Sequence, residues 1–560
     1  MNDERAELIA KLMPTRMRLF TATVVLFLAA SAASAATARY VVALKWGARA
    51  DQARVLLRDI EVSSQERRVV TFNHLDSFAA DLTEAEVLEL RRSGNVRYVE
   101  PVAVRHILGV TPEAAVNSLR NLDGQTIPPG IDIVRAREAW SVTRGANVNV
   151  VVIDTGVDYR HPDLVGAYAG GFNALTLTTD PMDDHNHGTH VAGTIAAADN
   201  DIGVVGVAPK VRLWGVKALK PDGTGTTDLL VSAINWVIGQ KRSLGGNWII
   251  NFSIGAQLRN IAEGEAVARA IAEGILVVAA SGNDSTETNA MPVAYPGAYP
   301  GVLSIGAVDH QLRHAEFSNQ GPNLGAVAPG VDVLSSVRGG EGVLSGVFAP
   351  SDAYSGAPLE GSASGTITGT AVYCGLGRAG DFPAAVAGNI AIIRRGGDTF
   401  ADKTRRAKAA GATAVLIVDY AESTVNQFTL INAGDPDAHT FAWPVTIALR
   451  NIDGERLIAT WNPTVTVMNR PDDYMVKSGT SMSAPHGAGA AALAWSVAPN
   501  ARAEDVINAL KMKATDLGAG GVDSVFGHGV LNAVEAGAML NPAAFGRRPS
   551  GRRTLRRGGR

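Results

Sequence analysis

Between residues 148 and 308 the chain keeps exchanging short apolar runs for longer segments of helical character. No other feature constrains the fold as much. Residues 148–153, 248–252, 275–279 and 302–308 are dominated by Val, Ile, Leu and Ala. Runs of that length and composition suit strands buried on both faces. Residues 187–198, 229–238 and 261–272 lie between them and predict helices. Strands alternating with helices predict an α/β fold with a parallel, doubly wound sheet. In such sheets functional groups collect just beyond the carboxyl ends of the strands. Asp154 closes the first run, and Thr155-Gly156 breaks it. Alone, that position suits chemistry and a turn-capping carboxylate about equally.

Two further motifs follow. His187-Gly188-Thr189-His190 opens a small-residue helix, and Gly479-Thr480-Ser481-Met482 opens another that reaches about Ser496. A serine hydroxyl is a weak nucleophile at neutral pH. It needs a histidine to take its proton and a carboxylate to hold that histidine in one tautomer. Asp154, His187 and Ser481 supply these three groups. Other readings exist for each. Asp-Thr-Gly also marks aspartic proteases, but that chemistry needs a second such carboxylate, and the chain has no second Asp-Thr-Gly or Asp-Ser-Gly. His187 and His190 could share a metal, yet no Glu follows His187 as zinc-protease helices require; His190 reads as a packed structural histidine. Ser481 alone would pass for a helix N-cap, as Ser483 does for a helix-start residue. Asn283 follows the run 275–279, where its amide can donate to a developing oxyanion or simply hold a turn.

With these motifs in the order Asp, His, Ser, the chain resembles the subtilisin-like serine endopeptidases from about Gln125 to Ala536, with one large insertion. The resemblance implies that Ser481 is the nucleophile, His187 the general base and Asp154 its orienting partner. Asn283 and the Ser481 N–H would bind the oxyanion. It implies substrate-binding edges at Gly223-Thr224-Gly225 and Ser253-Ile254-Gly255, where glycine admits an extended peptide as an added strand. Ala294 falls where some relatives have glycine at the floor of the primary pocket. A methyl there implies a preference for medium apolar side chains over large aromatics. The resemblance also implies a structural Ca²⁺, held by side chains of Gln125, Asp163 and Asn200 and by carbonyls of Ala198, Ile202 and Val204. Six oxygen ligands suit that ion, and Asp199 and Asp201 would flank it. The rival from another class is a non-catalytic adhesion protein on a protease scaffold.

The expected organisation is a signal peptide at 1–35, a propeptide at 36–106, a maturation linker at 107–124, the catalytic domain at 125–354 and 471–540, an insertion at 355–470, and a basic tail at 541–560. Arg16 and Arg18 precede an apolar stretch, and Ala33-Ser34-Ala35 offers a cleavage pattern. Acidic Asp3, Glu4 and Glu7 are unusual there, so Met17 is an alternative start. Residues 36–106 read as a small α+β unit with strands at 39–45, 78–82 and 96–101 and a helix signal at Thr83. Its place resembles that of the fold-assisting, inhibitory propeptide of the family. The insertion, centred on residues 387–412, resembles the β-rich protease-associated domain. The single cysteine, Cys374, cannot form an internal disulfide. The family often pairs it with a cysteine where Asp398 stands, so a free buried thiol is expected. The chain has 560 residues, 46% hydrophobic, with net charge −3, ample for several cores. The arginine-rich tail reads as a solvated segment. The expected partners are polypeptide substrates and the chain's own propeptide. No nucleic acid and no membrane span beyond the signal are expected, and the product reads as a monomer exported to the extracellular side, with the periplasm as the alternative.

Overall fold

The computed structural model describes residues 37–45, 55–56, 68–108, 124–349, 353–420, 429–431 and 435–546. The expected signal peptide, most of the linker and the arginine tail from residue 547 lie outside the described residues. The chain divides into two units after Ala103.

The first unit is a four-stranded antiparallel sheet in the order Val70–Phe72, Ser77–Leu82, Ala38–Leu44, Val96–Pro101. Val42, Phe78 and Leu82 from its strands bury with Val87 and Leu90 of the helix Glu84–Arg92. Thr83 starts that helix with a reciprocal cap: its hydroxyl accepts from the Glu86 N–H while Glu86 accepts from the Thr83 N–H at 2.7 Å.

The second unit holds a seven-stranded sheet, all of it parallel, in the order Ala326–Pro329, Leu303–Val308, Leu276–Ala280, Asn247–Phe252, Val148–Asp154, Arg212–Lys217, Tyr168–Asn173. This is the doubly wound α/β sheet expected from the alternation. Strands Tyr168–Asn173, Arg212–Lys217 and Ala326–Pro329 are additional to those legible from apolar runs. The two outermost carry glycines or a proline, which edge positions tolerate.

Thr480–Ser496 crosses the sheet as a buried helix. Its small residues allow close approach: a Cβ on Gly487 would meet Ile305 at 2.9 Å, and one on Gly489 would meet Val207 at 2.5 Å.

The insertion is a closed barrel of strands Gly342–Phe348, Ala353–Pro358, Val445–Leu449, Ala414–Val418, Ile390–Arg394, Gly365–Tyr373 and Thr464–Asp472. It therefore takes in chain ahead of residue 355. The segments that enter and leave it, Val333–Ser336 and Tyr474–Lys477, pair antiparallel. The Gly479 N–H reaches the Gly330 carbonyl at 2.7 Å. The barrel thus leaves the sheet and returns to it at one place, and the Ser481 helix stays attached to the strand end that precedes the insertion.

Candidate active site

Asp154 is the last residue of the strand Val148–Asp154, and His187 is the first of the helix His187–Ala196. Both are fully buried, and His187 Nδ1 lies 2.7 Å from Asp154 Oδ1. The same carboxylate oxygen accepts the Thr155 N–H at 2.7 Å. This fixes the imidazole with Nδ1 as donor and leaves Nε2 free to take a proton. Ser481 enters on the first turn of the crossing helix, where backbone N–H groups have no intrahelical acceptor. Its hydroxyl lies 2.8 Å from the Ser253 carbonyl and 3.2 Å from the Leu108 carbonyl. It does not bond His187 Nε2, which has no hydrogen-bond partner here.

Leu108 ends a segment that spans the expected boundary between propeptide and linker. Val104–Ile107 is the middle strand of a small antiparallel sheet, between Thr224–Thr226 and Ile254–Gly255. Arg105 faces Gly225, His106 faces Thr224 and Gly255, and Ile107 faces Ile254. The Ile107 N–H reaches the Gly223 carbonyl at 3.0 Å. Both glycine-rich edges named from the sequence thus hold one extended peptide. Its last described carbonyl, that of Leu108, accepts from Asn283 Nδ2 at 2.7 Å.

The Leu108 side chain is 6% exposed and passes within 3.4 Å of where a Cβ on Gly255 would sit. Ala294 is fully buried, its methyl 3.2 Å from the notional Cβ of Gly282 beside Asn283. Asn283 is held by a residue that motif reasoning passed over as part of a turn. Its Oδ1 accepts from the Thr480 hydroxyl at 2.7 Å and the Thr480 N–H at 2.9 Å. Those bonds aim Nδ2 at the peptide carbonyl.

The Subtilase family pattern matches residues 145–370, and the PA domain pattern matches residues 367–457. Subtilisin DY of Bacillus licheniformis is 41% identical over 213 residues, 38% of this chain and 75% of that protein. The chain belongs to the subtilase family. Subtilisin E of Bacillus subtilis is 37% identical over 271 residues, 48% of this subtilase and 65% of its relative's length. A psychrophilic subtilisin-like protease from an Antarctic Pseudoalteromonas shares 29% identity at a TM-score of 0.57, covering 76% of this chain and all of that one. Fervidolysin of Fervidobacterium pennivorans, at 19% identity and a TM-score of 0.56, shares the fold over 90% of this chain and 61% of its own.

In this subtilase the six residues expected around calcium come together from well-separated stretches of chain. The carbonyls of Ala198, Ile202 and Val204 and Asn200 Oδ1 converge on Gln125 Nε2 at 2.6, 3.1, 3.0 and 3.2 Å. Asp163 stands beside them. Its Oδ1 accepts from Asn200 Nδ2 and its Oδ2 from the Val204 N–H, each at 3.1 Å. One amide nitrogen lies among four oxygens, and such a donor set is the hard oxygen chemistry that Ca²⁺ prefers. Among the described residues no group of three or more His, Cys, Asp or Glu forms a metal cluster; this set is built mostly of carbonyl and amide oxygens. Burial pushes the Asp163 carboxyl upward, opposed by the Val204 and Asn200 hydrogen bonds. A bound dication would favour its charged form. Asp199 is engaged by Arg144.

The remaining candidates have structural surroundings. His190 is buried with Nε2 3.0 Å from the carbonyls of Val333 and Met475, and burial holds it well below the usual histidine range. Cys374 is a free thiol in the barrel core, pushed up to about 12 by burial and by Asp381. Asp398 pairs instead with Arg406. Ser483 is buried on the helix, its Oγ 2.2 Å from where a Cβ on Gly330 would sit, so that position requires glycine.

Proposed function

We propose that this subtilase is a secreted serine endopeptidase, made as an inactive precursor whose first substrate is its own chain. The observation that carries the reading is the Leu108 carbonyl, 2.7 Å from Asn283 Nδ2 and 3.2 Å from Ser481 Oγ, at the end of a strand bound by both glycine-rich edges. Ser481 Oγ attacks such a carbonyl carbon after rotating from Ser253 toward His187. His187 Nε2 takes the hydroxyl proton and returns it to the leaving amine. Asp154 holds Nδ1 and stabilises the imidazolium. Asn283 Nδ2 and the Ser481 N–H receive the charge on oxygen, and water then hydrolyses the acyl-enzyme. The first bond cut is the one following Leu108. Until the preceding segment leaves, it blocks the cleft, which makes it the intramolecular inhibitor. Residues 1–35 carry the export signal. Gln125, Asp163, Ala198, Asn200, Ile202 and Val204 would hold Ca²⁺, which ties the chain near Gln125 to the body of the domain.

The test is a fluorophosphonate label on the full chain and its Ser481→Ala variant, with intact masses of both. We expect labelling and a mature form beginning at Gly109 from the native chain. Ser481→Ala should stay unlabelled and uncut. Casein hydrolysis by that variant would overturn the assignment.

A further inference from the structure

In the bound segment Arg105 and Leu108 are buried, while Val104 and His106 are exposed. Leu108 is an ordinary occupant of an apolar pocket. Arg105 is not. Its guanidinium donates from Nε to Glu263 Oε2 at 2.6 Å, from Nη2 to the Leu258 carbonyl at 3.2 Å and from Nη1 to the Val104 carbonyl at 3.1 Å. The two side chains of the ion pair are 1% and 0% exposed. Burying two charges costs free energy that only close pairing offsets.

If the pair served the stability of the mature fold, both partners would have to stay in the molecule. They do not under the cleavage proposed above, on which this inference rests. Arg105 lies on the side of the cut that departs, and Glu263 stays with the mature enzyme. Glu263 sits in the first turn of the helix Ile261–Ala272, its N–H capped by Asn260 at 2.9 Å. The positive end of that helix supports a carboxylate there when the guanidinium leaves.

We propose that Glu263 closes a pocket selecting arginine three residues before the residue whose carbonyl is attacked. Preferred substrates are then polypeptides carrying arginine-x-x-leucine, with Arg105-His106-Ile107-Leu108 as the first. Hydrolysis of such a bond takes up one water, leaving a carboxylate on the leucine and an amine on the next residue. Main-chain pairing with Gly225 and Gly255 gives general affinity, and Glu263 adds selectivity. Arginine suits the site better than lysine because acceptors stand at three places around its fork, whereas an ammonium is a compact point charge.

Peptidyl coumarylamides test this, with arginine, lysine, norleucine or glutamate preceding a constant His-Ile-Leu. The mature enzyme should favour arginine over norleucine in kcat/KM by about thirtyfold or more, the lower end for a desolvated, hydrogen-bonded charge pair. Glutamate should be cleaved worst. Glu263→Gln should collapse the arginine-to-norleucine ratio toward one, and Glu263→Leu should invert it. Equal cleavage of the arginine and norleucine peptides by the native enzyme would overturn this inference while leaving the endopeptidase reading intact. Failure to cleave any peptide, together with no fluorophosphonate label, would overturn both.

Discussion

Thr480 gives the sharpest test of how the oxyanion site is built. Asn283 Oδ1 receives two donors from this one residue, the hydroxyl at 2.7 Å and the N–H at 2.9 Å. Thr480→Val keeps the volume and the backbone donor and removes the hydroxyl. A neutral hydrogen bond of this kind contributes about 0.5–1.5 kcal/mol net, so the variant should lose roughly two- to twelvefold in kcat. Asn283→Ala removes the donor itself and should lose about 10²–10³, a range measured on subtilisin. Thr480 is a positioning residue, so its effect should vanish once Asn283 is gone. The assay is kcat on a leucyl amide substrate for the native enzyme, both single variants and the double variant, with melting curves to verify folding. The double variant should match Asn283→Ala, and Thr480→Ser should restore native kcat. Two penalties that multiply, or a Thr480→Ser as slow as Thr480→Val, would refute the reasoning.

Calcium at Gln125, Asp163 and the Ala198–Val204 carbonyls should stabilise the mature enzyme by mass action, about 2.7 kcal/mol when free ion is a hundredfold above its dissociation constant; thermal half-lives should fall with chelator and with Asp163→Ala, and equal half-lives in all conditions would remove the site. Ala294→Gly should deepen the primary pocket and raise kcat/KM for phenylalanine relative to leucine by about tenfold, which a coumarylamide series would measure. Burial lowers His486 to about 4. A depressed folded-state value contributes stability that is present above the unfolded value near 6.5 and is lost as pH falls toward about 4, an order of 3 kcal/mol. Acid titration of unfolding should therefore steepen in that window, and His486→Gln should flatten it.

What could be read directly from the sequence was the chemistry that sits on local signals. The buried runs, the helices between them and the polar residue closing each run follow from periodicity within a dozen residues. Asp154 and His187 were legible because each ends or opens such an element, and the structure brings them to 2.7 Å. The capped helix behind Thr83 was legible for the same reason. The strands Tyr168–Asn173, Arg212–Lys217 and Ala326–Pro329 were not, because glycine, proline and half-exposed positions dilute their apolar pattern. The start of the barrel at Gly342 was also hidden, since Gly342–Phe348 gains its meaning only from pairing with Thr464–Asp472.

Tertiary structure alone decided what occupies the cleft and what that occupant reveals. By itself Val104–Leu108 reads as the tail of one domain or the start of a linker. It becomes a bound peptide only when Thr224–Thr226 and Ile254–Gly255 supply edges on both sides. Glu263 reads as one more first-turn helix acid until Arg105, 158 residues earlier, is buried against it. Thr480 likewise becomes the anchor of Asn283 only across 197 residues. Sequence patterns report the free energy of local order, which a short window contains. Burial of a charge, and the aim of an amide at a carbonyl, depend on groups that meet only after loops of hundreds of residues have closed.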